Sequence, residues 1–192
     1  LYDFVQTKVI ECDVEIDGAL RELNRGRTVP DEPIPHVRHT RGSNEPKFDV
    51  RGALYTLLGA DLSQMHGFGP YTVLRLVAEC GDDMRKWPTA KHFTSWLTLA
   101  PGNKISGGRV LSSKTRRSSN RATALLRIAA VNVGRTHTAL GAFYRRLAAR
   151  IGKAKAVTAT ARKLAVLFYN CPLYTFDAAD ASLCGLPASF LL

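Results

Sequence analysis

The sequence predicts a mainly α fold, and three observations carry that reading. Apolar residues recur at steps of three and four along most of the chain, and no segment sustains a period of two. The breaks between these runs hold Pro and Gly where helices start and stop. At 192 residues, 45% hydrophobic and 22% charged, the chain can bury a core and still present a soluble surface. The expected order is a coiled-coil helix over 1–24, a linker over 25–49, a helical domain with a helix-hairpin-helix over 50–170, and an atypical tail over 171–192.

The first helix is read from "YDFVQTKVIECDVEIDGALRELN". Tyr2, Val5, Val9, Cys12, Ile16, Ala19 and Leu23 alternate steps of three and four, a heptad seam with charged flanks. A seam this narrow fits a coiled coil better than a wide face packed on a globular core. It begins in mid-pattern, without a cap, so a preceding segment is expected. Residues 25–49 hold four prolines and no periodicity, which suits a linker or extended arm. Two helices around a hairpin follow in "VRGALYTLLGADLSQMHGFGPYTVLRLVAECGDD". Pro70 suits a first turn and Gly81 an end, with Val73, Leu74, Val77 and Cys80 on one face.

Another helix is expected in "WPTAKHFTSWLTLA", with Pro88 at its start. Three apolar faces come after residue 121. Ala122, Leu125, Leu126, Ala129, Ala130 and Val133 form the first; Leu140, Phe143, Tyr144, Leu147, Ala148 and Ile151 the second. Val157, Ala161, Leu164, Ala165 and Phe168 form the third. From Cys171 the helical period is lost and charge falls to two Asp, the composition of a foreign or out-of-frame end.

Charge bounds the partner. Net charge is +11, and between Met84 and Phe176 there are 18 Lys or Arg and no Asp or Glu. So long a cationic stretch calls for an anion, most commonly nucleic acid. No basic helix carries the bulky apolar face of a membrane-surface helix. The late uncharged run, Leu164 to Phe176, is 13 residues and too short to span a bilayer. Cys12, Cys80, Cys171 and Cys184 form no CxxC pair and read as reduced thiols. His36 and His39 sit close together in a Pro- and Arg-rich loop, a poor metal site.

Two segments can carry function. In "HGFGPYTVLRLVAECG" a Gly-x-Gly turn, Gly67 and Gly69, feeds a helix whose first N–H groups and dipole suit a phosphate. A plain tight turn between packed helices has the same short pattern. The second segment is "PGNKISGGRVLSSKTRRSSNRA", residues 101–122, with five serines, six basic residues, three glycines and no acid. Gly107 and Gly108 let a backbone approach a phosphate. Lys104, Arg109, Lys114, Arg116, Arg117 and Arg121 can neutralise its charge. Ser106 lies between Lys104 and Arg109. The residues alone favour a hydroxyl that only donates a hydrogen bond, because a serine nucleophile needs a base and no His, Asp or Glu is near. Asp82 and Asp83 read as a solvated helix cap.

At these residues the chain resembles the C-terminal half of the IS-one-ten type insertion-sequence transposases, also called bridge-RNA-guided recombinases, with the Piv-type DNA invertases as relatives. The likeness runs from about Leu1 to Asn170, and its specific part is "HFTSWLTLAPGNKISGGRVLSS". It implies a RuvC-like domain bearing four carboxylates for Mg²⁺, joined by a coiled coil to a transposase domain with a nucleophilic serine. It implies strand transfer through a covalent phosphoserine link, in a homo-oligomer around DNA and a structured guide RNA, in the bacterial cytoplasm at the nucleoid. The serine of the "SGG" motif is Ser106. This sequence departs from the family in having no RuvC-like domain and, after Asn170, no charged and tyrosine-rich end. Ser118 and Ser119 stand where the family tolerates apolar residues and are not expected to be nucleophiles. The competing reading is a non-enzymatic helix-hairpin-helix nucleic-acid-binding module. A ribosomal-type RNA-binding protein fits less well, given the seam and the large apolar helices.

Overall fold

The computed structural model describes residues 1–29, 33–34, 45–117 and 119–177. His36, His39, Ser118, most of the linker and the tail from 178 lie outside the described residues. The chain divides into two compact units, Leu1–Leu74 and Arg75–Leu192.

In the first unit, helix α1 spans Tyr2–Leu23. It docks through a polar edge rather than through its apolar seam. The Lys47 N–H donates to the Asp13 carboxylate at 3.1 Å, the Asn24 amide to the Ala53 carbonyl at 2.9 Å, and Arg27 to the Leu57 carbonyl at 2.7 Å. Leu20 is the helix's one buried residue. The seam faces solvent: Tyr2 is 75% exposed, Val5 and Val9 are each 46% exposed, and Leu23 is 53% exposed.

Helix α2, Val50–Leu58, starts where the Asp49 carboxylate accepts the Gly52 N–H at 3.0 Å. That bond satisfies one of the donors a helix start leaves open. Gly59, at φ 68°, ends the helix. A 3-10 turn at Leu62–Gln64 leads towards α3, Pro70–Cys80, within which the first unit ends at Leu74. Arg51 and Asp61 form an ion pair that ties α2 to this turn.

In the second unit α3 finishes at Gly81, φ 84°. A 3-10 turn at Met84–Lys86 and α4, Ala90–Trp96, follow. Pro88 lies just ahead of α4 and not in its first turn, because the Thr89 hydroxyl takes the cap position and accepts the His92 N–H. Helices α5 (Arg121–Gly134), α6 (Ala139–Ile151) and α7 (Lys153–Asp177) complete the unit.

Helix α7 is the centre of this bundle; α4, α5 and α6 all pack on it. Its Ala161, Leu164, Ala165 and Phe168 are fully buried, as are Ala122, Leu126, Ala129, Ala130 and Val133 on or near the facing stripe of α5. Phe93 of α4 lies 6.2 Å from Phe168, ring centre to ring centre, and the Tyr169 hydroxyl donates to the Trp87 carbonyl at 2.7 Å. The face of α6 is less completely covered. Leu140 is buried, Phe143 and Leu147 are half-buried, and Ile151 is 39% exposed.

Besides Pro88, the structure differs from the sequence expectation at two places. Part of the basic Gly/Ser segment is a short β-hairpin, although no segment of the sequence sustains a period of two. Helix α7 also continues past Cys171 to Asp177, where the apolar period has already stopped. Backbone hydrogen bonds can carry a helix beyond its apolar stripe, although Pro172 supplies no N–H to that ladder.

Candidate nucleic-acid interface

Strand β1, Lys104–Ser106, pairs antiparallel with β2, Arg109–Ser112. Gly107 and Gly108 form the turn at φ 54° and 74°. Two consecutive left-handed residues define the two-residue turn whose twist matches a hairpin, and glycine takes that geometry at little steric cost. The double glycine of the sequence is thus a hairpin tip. Ser106 and Arg109 are cross-strand partners at that tip. Opposed residues on one face of an antiparallel pair have Cα atoms about 4.5–5.5 Å apart. The guanidinium of Arg109 is therefore within reach of any anion at the Ser106 hydroxyl.

Every residue from Pro101 to Arg109 is exposed. The Ser106 hydroxyl has no hydrogen-bond partner among the described residues, and Lys104 and Arg109 pair with no described carboxylate. A register shift between Lys104 and Ile105 bulges the hairpin, and bulges sharpen local twist and re-aim side chains. At the hairpin's base the Gly102 N–H donates to the Lys114 carbonyl at 3.3 Å. This keeps the hairpin's two chain ends together and sets Lys114 beside them.

Arg116 and Arg117 follow, both exposed. Arg121 opens α5, where the Asn120 side chain caps the helix by accepting the Ala122 N–H at 2.8 Å. Arg121 approaches Glu79 at 3.7 Å. The hairpin tip therefore collects Lys104, Ser106, Gly107, Gly108 and Arg109, and Lys114, Arg116 and Arg117 extend the cationic run from its base.

Gly67 and Gly69 belong to the first unit. Gly67, at φ 93°, needs glycine's conformational freedom, whereas Gly69 does not adopt a positive φ. The Gly69 carbonyl accepts the Val73 N–H at 3.0 Å as α3 begins. Phe68 between them is buried and anchors the turn.

Titration sets the chemistry of the remaining polar groups. Burial pushes Asp61 up, but hydrogen bonds from Arg51 and Ser63, with the Arg51 charge, more than reverse this and hold it below the usual carboxylate range. Asp83 caps its 3-10 turn, and hydrogen bonds from Arg85 hold its carboxyl low. Burial, with Glu79 nearby, pushes the Cys80 thiol up to about 12, so it is not a ready nucleophile. Among the described residues no three His, Cys, Asp or Glu side chains are grouped to hold a metal ion, and no helix is long and apolar enough to cross a membrane.

Residues 59–145 match the family described as Transposase IS116/IS110/IS902. This stretch belongs to that transposase family. No curated protein and no solved structure matches the chain. The matched transposase segment holds the Gly67 turn, α3, α4, the whole hairpin, α5 and the first part of α6.

Sequence reasoning missed some features of the second unit. Thr98 takes a left-handed φ of 57° just after α4, with its hydroxyl buried and unpartnered. A β-branched residue gives no sequence signal for that geometry. It also passed over Lys155 and Arg162 of α7. Their seven-residue spacing, two helical turns, was a usable sign that they share a face.

Proposed function

We propose that this chain is the DNA-binding and strand-transfer part of a serine-nucleophile transposase, with Ser106 as the attacking group. The observation that carries the reading is the hairpin tip: an exposed serine opposite an arginine, on a double-glycine turn, inside the family match. The Ser106 oxygen would form a bond to phosphorus while a phosphorus–oxygen bond to deoxyribose breaks. The serine proton departs and the leaving deoxyribose oxygen takes one up. Arg109 and Lys104 would face the charge that gathers on the non-bridging oxygens. The reverse attack by another strand's hydroxyl would rejoin DNA.

The described residues place no general base at Ser106. In this reading the carboxylates and Mg²⁺ belong to a RuvC-like domain outside residues 1–192, and residues 1–192 by themselves bind DNA without cutting it. Lys114, Arg116 and Arg117 hold flanking phosphates, and Arg121 shares itself between DNA and Glu79. The Gly67 turn and the start of α3 act as a helix-hairpin-helix phosphate site. The exposed seam of α1 pairs with a second copy of the chain. A structured guide RNA joins DNA as partner, in the nucleoid-associated setting of a bacterial transposase.

The competing reading is a helix-hairpin-helix module that binds nucleic acid without chemistry. A nicked suicide DNA substrate separates the two when the protein carries its RuvC-like domain. Strand transfer predicts a covalent protein–DNA adduct that Ser106→Ala abolishes. Tight binding with no adduct would leave only the binding module. Binding that does not weaken between low and physiological salt would remove the nucleic-acid reading altogether, since phosphate contacts release counterions.

A further inference from the structure

The incompletely covered face of α6 leaves a groove in the second unit, about 1090 Å³ in volume, bounded by α6, α7 and the segment leaving the hairpin. Its floor includes Leu140, Phe143 and Leu167. Its rim carries Lys114, Lys155, Arg162 and Lys163. The Lys163 ammonium stands 4.3 Å from the centre of the Phe143 ring, so one rim cation is held directly over the apolar floor.

No Asp or Glu lines the groove. Lys114, Lys155 and Arg162 pair with no carboxylate among the described residues. An occupant that matches the groove brings negative charge to the rim and an apolar surface to the floor. An unpaired nucleotide has both: a phosphate and a base face. A base inside a duplex does not, because its faces are already stacked.

The groove also continues the surface read above as the phosphate grip. Ser112, which lines it, is the cross-strand partner of Lys104. Lys104 is two strand residues from Ser106, a span of about 7 Å. A strand with one phosphate at the hairpin tip can thus reach the groove within a few nucleotides.

We propose that this groove binds an unpaired nucleotide of the strand held by the hairpin, making the domain a reader of single-stranded DNA next to the point of attack. The proposal rests on the nucleic-acid reading of the hairpin. An acidic amphipathic helix would also match an apolar floor with a cationic rim. Continuity with the hairpin favours the nucleotide.

The test compares this chain's affinity for a blunt duplex and for the same duplex with a five-nucleotide overhang, by fluorescence anisotropy at fixed salt. The overhang should bind about tenfold tighter, in the range expected for one or two bases on an apolar platform. Lys155→Ala with Arg162→Ala should reduce that preference to within about twofold while the blunt duplex still binds. Ile151→Gln, at the groove's exposed lip, should reduce it partly. Arg116→Ala with Arg117→Ala should weaken both DNAs alike.

Equal affinity for the two DNAs, or a preference that survives Lys155→Ala with Arg162→Ala in a protein of unchanged circular dichroism, overturns the proposal. So does an acidic amphipathic peptide that binds in a Lys155- and Arg162-dependent way while the overhang gives no advantage. If the blunt duplex binds with steep salt dependence but shows no preference, only the groove proposal fails. If neither DNA binds, the nucleic-acid reading fails with it.

Discussion

Helices α1 and α7 both carry apolar stripes at helical spacing, and the stripes meet opposite fates. On α7, Leu164, Ala165 and Phe168 are wholly buried under three neighbouring helices. On α1, Val5, Val9 and Ile16 remain exposed while polar groups hold the helix to its unit. Periodicity states that a face favours burial; it does not state against what. The broad stripe of α7 finds its partners within the chain. The narrow α1 seam, two positions per seven, has the width that one other helix covers.

The contrast gives its largest expected effect at the buried end. Phe168→Ala should cost about 3–5 kcal/mol of unfolding free energy, read from the denaturant midpoint, because it leaves a cavity beside Phe93 and Tyr169. Ile16→Asp, in the exposed seam, should change the stability of the folded chain by only about 0.5 kcal/mol or less. It should instead abolish self-association in sedimentation velocity. One unchanged monomer for both proteins would show that the seam is not a contact between copies.

The Arg51–Asp61 pair of the first unit should also respond to acid. Asp61 titrates lower folded than unfolded, so its contribution is complete above the unfolded value, about 3.9, and is lost as pH falls through its lowered folded value. Asp61→Asn should destabilise by about 1–3 kcal/mol at pH 7, with the gap to the native protein closing below about pH 4. A gap that stays constant from pH 7 to pH 3 would mean that the Arg51–Asp61 contact does not hold the turn before α3.

On DNA the expected effects are smaller. Replacing Arg116 and Arg117 by Ala should lower the salt slope of binding by about two, one for each phosphate contact. Ser106→Ala should change affinity least, by roughly 0.5–1.5 kcal/mol, as expected for one neutral hydroxyl. A larger loss on Ser106→Ala would identify the hydroxyl as a binding group before anything else.

The scaffold was legible in the sequence where burial decided it. The stripes of α5 and α7, Pro70 at the start of α3 and Gly81 at its end all stand where their spacing placed them. The chemistry-bearing residues were legible as types: SGG, with basic residues around it. Their arrangement was not. Strands of three and four residues are too short to show an alternation, so the pairing of Ser106 with Arg109 had no periodic signal. Nor could periodicity show that the α6 face would be left partly open, since that depends on how far α7 and the Ser112–Thr115 segment cover it. The strained Thr98 was invisible for a different reason: it lies between the buried Leu97 and Leu99 in a geometry that a β-branched residue does not favour.

In the proposed reaction the hairpin tip delivers the attacking oxygen. The most direct measurement is the position of the covalent link. DNA trapped on the protein carrying its RuvC-like domain, digested and mapped by mass spectrometry, should leave the nucleotide remnant on the peptide containing Ser106 and on that residue alone. A remnant on Ser112 or Ser113, or an adduct that persists in Ser106→Ala, would contradict it.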